Sequence, residues 1–179
     1  MNQMKKIILS VLLFAAILSI KSQEIKYTDA SELNLIGKPF PDTPNPYHRI
    51  DTLVFKGFNT TENRQVRCPV GMSVLFRSNT TKITMSTKWG YVYSTFSTMP
   101  IAFRGYDLYF KNERGEWQYA SSGANRNYQE GKEDTFTLIE NMDGTAHDFM
   151  LYLPMYSEIH TCKIGIDNDA YIEPIESNF

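Results

Sequence analysis

The side chains that could hydrolyse an ester or a glycoside lie scattered along this chain of 179 residues. A serine hydrolase needs a nucleophile, a base and an orienting acid within hydrogen-bond reach of one another. His147 and Asp148 are neighbours in sequence, but successive residues of a strand point to opposite faces, so the two cannot readily cooperate. The sequence contains neither a Gly-x-Ser-x-Gly elbow nor a Gly-Asp-Ser run. We therefore assign no catalytic residue.

Two acidic stretches are candidates for glycoside hydrolysis and for calcium binding. Glu130, Glu133 and Asp134 include the pair of acids that glycoside hydrolysis needs, but a charged loop between strands is the favoured interpretation. The Asp-Asn-Asp run at 167–169 lacks the glycine and the terminal Glu of the helical calcium loop, which favours a solvated turn. The other metal-binding side chains are too far apart in sequence for a zinc motif: His48, His147, His160, Cys68 and Cys162. We predict no metal site and no cofactor.

The first 22 residues have the layout of a signal peptide. Met1–Lys6 supply positive charge, and residues 7–20 form an apolar run that is too short to span a bilayer comfortably. We expect cleavage after Ser22 and a secreted or periplasmic protein without a membrane anchor; an uncleaved anchor is the less favoured alternative. In an oxidising compartment Cys68 and Cys162 could form a disulfide, but two separately buried thiols are favoured.

The charge of the chain argues against nucleic acid as a partner. The formal net charge of the whole sequence is -2. Removing residues 1–22 removes three lysines and no acid, which leaves 15 of the 18 basic side chains against 20 acidic ones. A protein that binds the phosphate backbone needs clustered Lys and Arg, so we expect no nucleic-acid partner.

Alternation of apolar and polar residues predicts short strands over most of the mature chain. In 81–89, Ile83, Met85 and Trp89 share one face. Asn and Gly at 112–115 supply the turn of a predicted hairpin. The predicted strands are 51–56, 72–77, 81–89, 91–97, 106–111, 116–120, 134–140, 148–153 and 159–167. Because no long amphipathic helix is evident, we predict an all-β, antiparallel sandwich or barrel.

Before residue 50 the sequence predicts little regular structure. The spacing of Asp29 and Glu32 is that of a capping box, and it predicts at most one or two helical turns. Four prolines fall within 38–46, which predicts an extended connector on the surface.

Five short stretches stand out together in the sequence: 29–38, 46–50, 72–79, Gly105-Tyr-Asp-Leu-Tyr109 and 152–156. Together they resemble one family, the N-terminal domain of bacterial two-domain SGNH (GDSL-type) hydrolases, whose signature is Gly-x-Asp-Leu-Tyr. The resemblance implies a β-sandwich of jelly-roll type placed before a separate SGNH esterase domain, commonly in secreted carbohydrate esterases. The catalytic domain of the family follows the stretch resembling 172–175, so no catalytic residue is carried over to this chain.

The resemblance divides the chain into four expected parts: a signal peptide at 1–22, an extended lead at 23–50, a β-sandwich accessory domain at 51–170, and a linker stub toward a catalytic domain at 171–179. The chain is then either a piece of a longer hydrolase or a lone accessory domain.

Two functions from different classes follow from the resemblance. The first is a non-catalytic accessory domain that packs, in the same chain or in a separate one, against an SGNH catalytic domain and helps shape its cleft for an acetylated polysaccharide. The expected interface residues are Pro46, Tyr47, His48 and Tyr156. The alternative is a free-standing carbohydrate-binding module with an aromatic platform. Its candidate residues are Trp89, Tyr91, Tyr93, Trp117 and Tyr119. An independent esterase is the least favoured function.

Three of these expectations concern burial. Trp89 and Tyr91 flank Gly90, and we expect them to be exposed, whereas core packing is favoured for Trp117. Within the signature, Gly105 is assigned a structural role. We expect Asp107 to lie on a buried face and accept hydrogen bonds from loop backbone amides, which is favoured over ligand contact.

Overall fold

The computed structural model describes residues 24–125 and 128–177, so the expected signal peptide lies outside the described residues. Ten strands account for most of the regular structure. They are β1 (Ile25–Asp29), β2 (Asn34–Ile36), β3 (Ser73–Ser78), β4 (Ile83–Val92), β5 (Gly105–Lys111), β6 (Trp117–Ala124), β7 (Glu133–Ile139), β8 (His147–Tyr152), β9 (Ser157–Asp167) and β10 (Ile172–Pro174). Two short helices, α1 (Thr60–Val66) and α2 (Pro100–Arg104), and a 3-10 turn at Ala30–Glu32 complete the described elements.

The strands form two antiparallel sheets. Sheet A has the order β1-β9-β4-β7. Sheet B has the order β10-β3-β8-β5-β6, and β2 pairs with β3 beside it. β2 pairs with the first half of β3 and β10 with the second half, so the two short strands share one edge of β3. The predicted antiparallel β-sandwich is confirmed.

The core lies between the sheets and is built by alternating residues of each strand. Each central strand sends every second side chain inward, because successive side chains of a strand point to opposite faces. The inward residues of these strands are Val74, Phe76, Ile83, Met85, Tyr106, Leu108, Phe149, Leu151, Ile164 and Ile166. Most strands lie within a few residues of the predicted ranges, and the β5–β6 hairpin has its turn where expected, with Asn112 Oδ1 accepting from the backbone amides of Arg114 and Glu116.

Two predicted strands are wrong. Residues 51–56 form a turn, because the side chain of Asp51 accepts a hydrogen bond from the Leu53 amide and its carbonyl accepts from Val54 and Phe55. The strand predicted at 91–97 ends at Val92, the last residue of β4. The sequence reasoning also missed α1, which begins with a capping box formed by Asn59 and Glu62.

The N-terminal segment is tied to β9 by side-chain hydrogen bonds. The Tyr47 hydroxyl donates to Asp29 Oδ1 at 2.7 Å and to the Cys162 carbonyl at 3.2 Å. Asn45 Nδ2 donates to the Ile159 carbonyl at 2.9 Å. Part of the predicted lead therefore belongs to the sheets, since β1 pairs with β9 and β2 with β3.

Both cysteines are buried free thiols, as favoured. Burial raises the pKa of Cys68 to about 11 and that of Cys162 to about 12, so both remain protonated and unreactive near neutral pH. Residues 24–125 and 128–177 contain no candidate membrane-spanning helix.

Candidate functional site

The Gly-x-Asp-Leu-Tyr signature occupies the first five residues of β5 and divides between the two faces of sheet B. Tyr106 and Leu108 are fully buried in the core. Asp107 is exposed, and Tyr109 points with it to the outer face. The predicted alternation is correct, but the buried, hydrogen-bonded role predicted for Asp107 is wrong: its carboxylate accepts no hydrogen bond from any described residue.

Three tyrosines from three adjacent strands form a row on this outer face, which we call the tyrosine row (Tyr119, Tyr109 and Tyr152). The ring of Tyr109 meets Tyr119 edge-on with centroids 5.8 Å apart, and Tyr152 edge-on at 5.7 Å. Tyr119 is 58% and Tyr152 39% exposed. Edge-to-face geometry is favourable for aromatic rings, so the row is an ordered surface.

Apolar side chains extend the row across sheet B. Met150 is paired with Tyr109 on one side and with Leu75 on the other, and directly opposed residues of antiparallel strands share a face. Both side chains are nearly inaccessible to solvent, yet neither belongs to the core cluster between the sheets. The outer face of sheet B therefore has an apolar floor of its own.

A groove of about 440 Å³ lies beside this floor. Trp117 is half-buried there, with Lys111 Nζ 5.4 Å from its ring centroid. Arg77 Nε donates to Asp148 Oδ1 at 2.7 Å. The full lining is Leu75, Arg77, Lys111, Gly115, Trp117, Asp148, Ile175 and Glu176. The groove thus combines one aromatic ring with charges of both signs, and the residues that follow β10 run alongside it.

A second cluster surrounds Glu158 of β9, whose side chain is only 5% exposed. His48 Nε2 lies 2.9 Å and Arg67 Nη1 3.4 Å from Glu158 Oε1, and the Tyr91 amide donates to Oε2. A Cβ at Gly90 would lie 2.5 Å from His160 Nε2 and 2.7 Å from the Glu158 carboxyl carbon, so a larger residue would displace these two side chains. Because its partners come from the N-terminal segment, the residue after α1, and β4, the carboxylate fastens these elements to β9.

Acid is expected to weaken the protein through Glu158. Burial pushes the pKa of Glu158 upward, but the close contact with His48, the hydrogen bond from the Tyr91 amide and the charge of Arg67 outweigh it, so the pKa lies below its usual value. A carboxyl whose pKa is lower in the folded state stabilises the protein above about pH 4.3 and loses that contribution as the pH falls through the folded pKa. Glu158→Gln should therefore lower the melting temperature at pH 7. It should also reduce the difference between the melting temperatures measured at pH 7 and at pH 3.5. The control variant is Asp107→Asn, which changes an exposed carboxylate, and it should keep the full difference between the two melting temperatures. An equal reduction of this difference in both variants would contradict the stabilising role assigned to Glu158.

The predicted interface residues fall into two kinds. Tyr47 is 1% exposed, and its hydroxyl is hydrogen-bonded to Asp29 Oδ1 and to the Cys162 carbonyl, so it is a core residue. Pro46 and His48 are half-buried, and Tyr156 is 43% exposed with its ring 5.9 Å from that of Tyr93.

The predicted aromatic platform does not exist as a unit. Trp89 is fully buried, so the prediction that it is exposed is wrong. Tyr91 is half-buried beneath the guanidinium of Arg64, 4.6 Å from its ring. Trp117 lies at the groove and outside the core cluster, so the core packing favoured for it is also wrong. The sequence reasoning missed Tyr109 and Tyr152, although their alternation with Leu108 and Leu151 was a usable signal.

Comparison with known proteins gives a family and two related structures. A family model described as GxDLY, the N-terminus of SGNH-hydrolase-type esterases, matches residues 25–172. A protein described as a GDSL-like lipase from Bacteroides ovatus is 29% identical with a TM-score of 0.77, over 87% of this chain and 44% of that one. The salicylyl-acyltransferase SsfX3 of a tetracycline biosynthetic pathway is 12% identical with a TM-score of 0.50, over 86% of this chain and 40% of its own, and shares the fold. No curated protein matches. The chain thus spans less than half of either structure.

Proposed function

Because this chain belongs to the GxDLY family of SGNH-type esterase N-termini, we propose that it is a non-catalytic accessory domain of a secreted carbohydrate esterase. In this proposal it packs against an SGNH catalytic domain and helps shape the cleft for an acetylated polysaccharide. The observation that carries the proposal is the aromatic outer face of sheet B, to which the family signature contributes.

The fold accounts for only part of the signature. Tyr106 and Leu108 fill the core, and Gly105 fits against the last turn of α2. Asp107 and Tyr109 have no such role, since they face outward and Asp107 is exposed. A docked domain would give the Asp107 carboxylate a partner and would cover the ring of Tyr109, which supports the outer face as the contact surface.

The composition of the face also fits a docking surface. Interfaces are enriched in aromatic residues, and their strongest contributors are Trp, Tyr and Arg near the centre. The tyrosine row, Trp117 and Arg77 supply these residue types around the apolar floor of Met150 and Leu75.

The path of the chain supports docking in the same polypeptide. After β10, Asn34 Nδ2 donates to the Ile175 carbonyl at 2.7 Å and holds the chain beside the groove. Ile175 and Glu176 both line that groove. A domain that follows them would be tethered next to the outer face of sheet B, which raises its effective concentration there.

The test measures binding and activity separately. We expect the chain alone to give no saturable hydrolysis of p-nitrophenyl acetate, and to bind an SGNH catalytic domain of its family in calorimetry. Tyr109→Ser should weaken that binding by roughly 30-fold, the value of a hot spot worth about 2 kcal/mol.

The matched control is Tyr27→Ser. Tyr27 is 43% exposed, a fraction similar to the 39% of Tyr152, but it belongs to β1 of sheet A. The Tyr27→Ser variant should bind the catalytic domain with unchanged affinity. Saturable esterase activity of the chain alone, or an equal loss of affinity in the control, would overturn the proposal. Contact with the catalytic domain through Pro46, His48 and Tyr156, or binding of a glycan through Tyr91, Tyr93 and Trp117, stays a prediction.

A further inference from the structure

A polar pocket opens between the edge strands β6 and β7, on a different part of the molecule from the outer face of sheet B. Its volume is about 540 Å³, within the range of small-molecule sites. The lining residues are Gly123, Ala124, Asn125, Asp134, Thr135, Phe136 and Thr137. None of them belongs to the tyrosine row or the groove, so this pocket has no part in the proposed docking.

Asn125 has unused hydrogen-bonding capacity inside the pocket. The residue is 2% exposed, yet neither its Oδ1 nor its Nδ2 has a hydrogen-bond partner among the described residues. Buried polar groups in folded proteins are almost always paired, and an unpaired buried amide costs free energy. An amide in a pocket wall that has no partner among the described residues is a group whose hydrogen bonds a ligand can complete.

Asp134 adds an acceptor to the same pocket. Its Oδ2 atom is buried and also has no partner in the described part of the chain. In the wall of the pocket the two side chains hold one donor group, Asn125 Nδ2, and two acceptors, Asn125 Oδ1 and Asp134 Oδ2, that have no partner among the described residues. A mixed set of this kind suits a ligand whose groups both donate and accept.

The charge around the pocket favours a neutral ligand. Arg104 is 4% exposed, and its guanidinium lies 4.4 Å from the ring centroid of Tyr128. Burial lowers the pKa of Arg104 below its usual value, although the nearby Tyr128 and Asp134 offset part of this effect. Asp134 is the one charged side chain in the described lining and disfavours an anion, while the positive charge of Arg104, which lies outside the lining, reduces the attraction of Asp134 for a cation.

The apolar part of the wall fits a ring with hydroxyl groups. Phe136 is half-buried, and a Cβ at Gly123 would lie 2.7 Å from its ring, so the glycine lets the ring lie close against β6. Hydroxyl groups donate to carboxylate and carbonyl oxygens and accept from amide N–H groups, while the C–H face of a sugar ring packs on an aromatic side chain. We propose that this pocket binds a neutral sugar ring, whose neighbouring hydroxyls are held by Asn125 and Asp134.

The experiment titrates the full chain with D-xylose and D-galactose and follows backbone and side-chain amide signals by NMR. We expect saturable shifts at 123–125 and 134–137 with at least one sugar, in the millimolar range typical of weak sites. Sodium acetate, which has no hydroxyl pair, should give none. Asn125→Ala should weaken sugar binding at least 10-fold without lowering the melting temperature, because the amide has no hydrogen bond to a described residue to lose.

Asn45→Ala is the matched control. Its side-chain amide donates to the Ile159 carbonyl and accepts from the Tyr47 amide, so its removal should lower the melting temperature and leave sugar binding intact. The proposal is overturned if neither sugar gives saturable shifts, if Asn125→Ala binds as tightly as the unmodified chain, or if it loses as much stability as Asn45→Ala. Failure of this site leaves the docking test unaffected, since the two surfaces share no residue.

Discussion

Trp89→Ala should cost about 3–5 kcal/mol in the free energy of unfolding, the usual range for removing a large aromatic from a core. The Trp89 side chain is fully buried, and its ring centroid lies 6.3 Å from that of Tyr106, a residue of β5 in the opposite sheet. The cavity left behind would remove contacts from both sheets at once. For a protein of this size the loss corresponds to roughly 6–20 °C in melting temperature.

Two further variants make this expectation specific. Trp89→Phe should lose much less, because it keeps most of the ring and removes an indole N–H that is buried without a partner among the described residues. Phe96→Ala, which truncates a fully exposed ring, should change the melting temperature little. Thermal and urea unfolding of the three variants would decide the matter. A loss below about 1 kcal/mol for Trp89→Ala would contradict the central place of this residue in the core.

Trp89 also illustrates which sequence signals were reliable. Its alternation with Ile83 and Met85 correctly indicated the apolar face of β4. The neighbouring Gly90 suggested exposure, but the glycine is there for another reason, because the side chains of Glu158 and His160 occupy the place of its Cβ. Periodicity reports which face a residue shares, whereas a single glycine does not reveal what lies against it.

The strands of the sandwich were predictable because their alternation is local. The turn at 51–56 was not, since its residue types suit a strand and only the hydrogen bonds of Asp51 divert the backbone. Helix α1 was missed although its capping box is visible in the sequence, because the helix has only seven residues and none of them is buried. Short elements without a buried face leave little hydrophobic pattern to recognise.

The candidate surfaces were less predictable because they depend on which strands become neighbours. Tyr109, Tyr119 and Tyr152 belong to three strands, and their rings meet only after β8, β5 and β6 align in sheet B. The pocket at Asn125 and Asp134 requires the edges of two different sheets to come together. Sequence spacing carries no information about strand order of this kind, so outward-facing residues could be identified but not grouped.

Gly105→Ala is the second large effect we expect. Gly105 follows α2 and opens β5, and its amide donates to the Ile101 carbonyl. An added Cβ would overlap that same carbonyl oxygen and lie 2.8 Å from Ile101 Cδ1. Because φ is -79° here, an ordinary value that any residue adopts, the cost is steric and falls on the backbone of α2. Forcing an extra methyl group into such a packed site costs roughly 1–3 kcal/mol or more.

Gly57→Ala provides the matched control, since a Cβ there would meet no atom within 4 Å. That variant should be neutral or gain up to about 1 kcal/mol, because alanine restricts the unfolded chain more than glycine does. Urea unfolding of both variants measures the difference directly. Gly105→Ala should also weaken binding to the catalytic domain, since a shift at the start of β5 moves Asp107 and Tyr109 on the outer face. If Gly105→Ala proved as stable as Gly57→Ala, the glycine of the signature would have to be explained by something other than the close approach of α2.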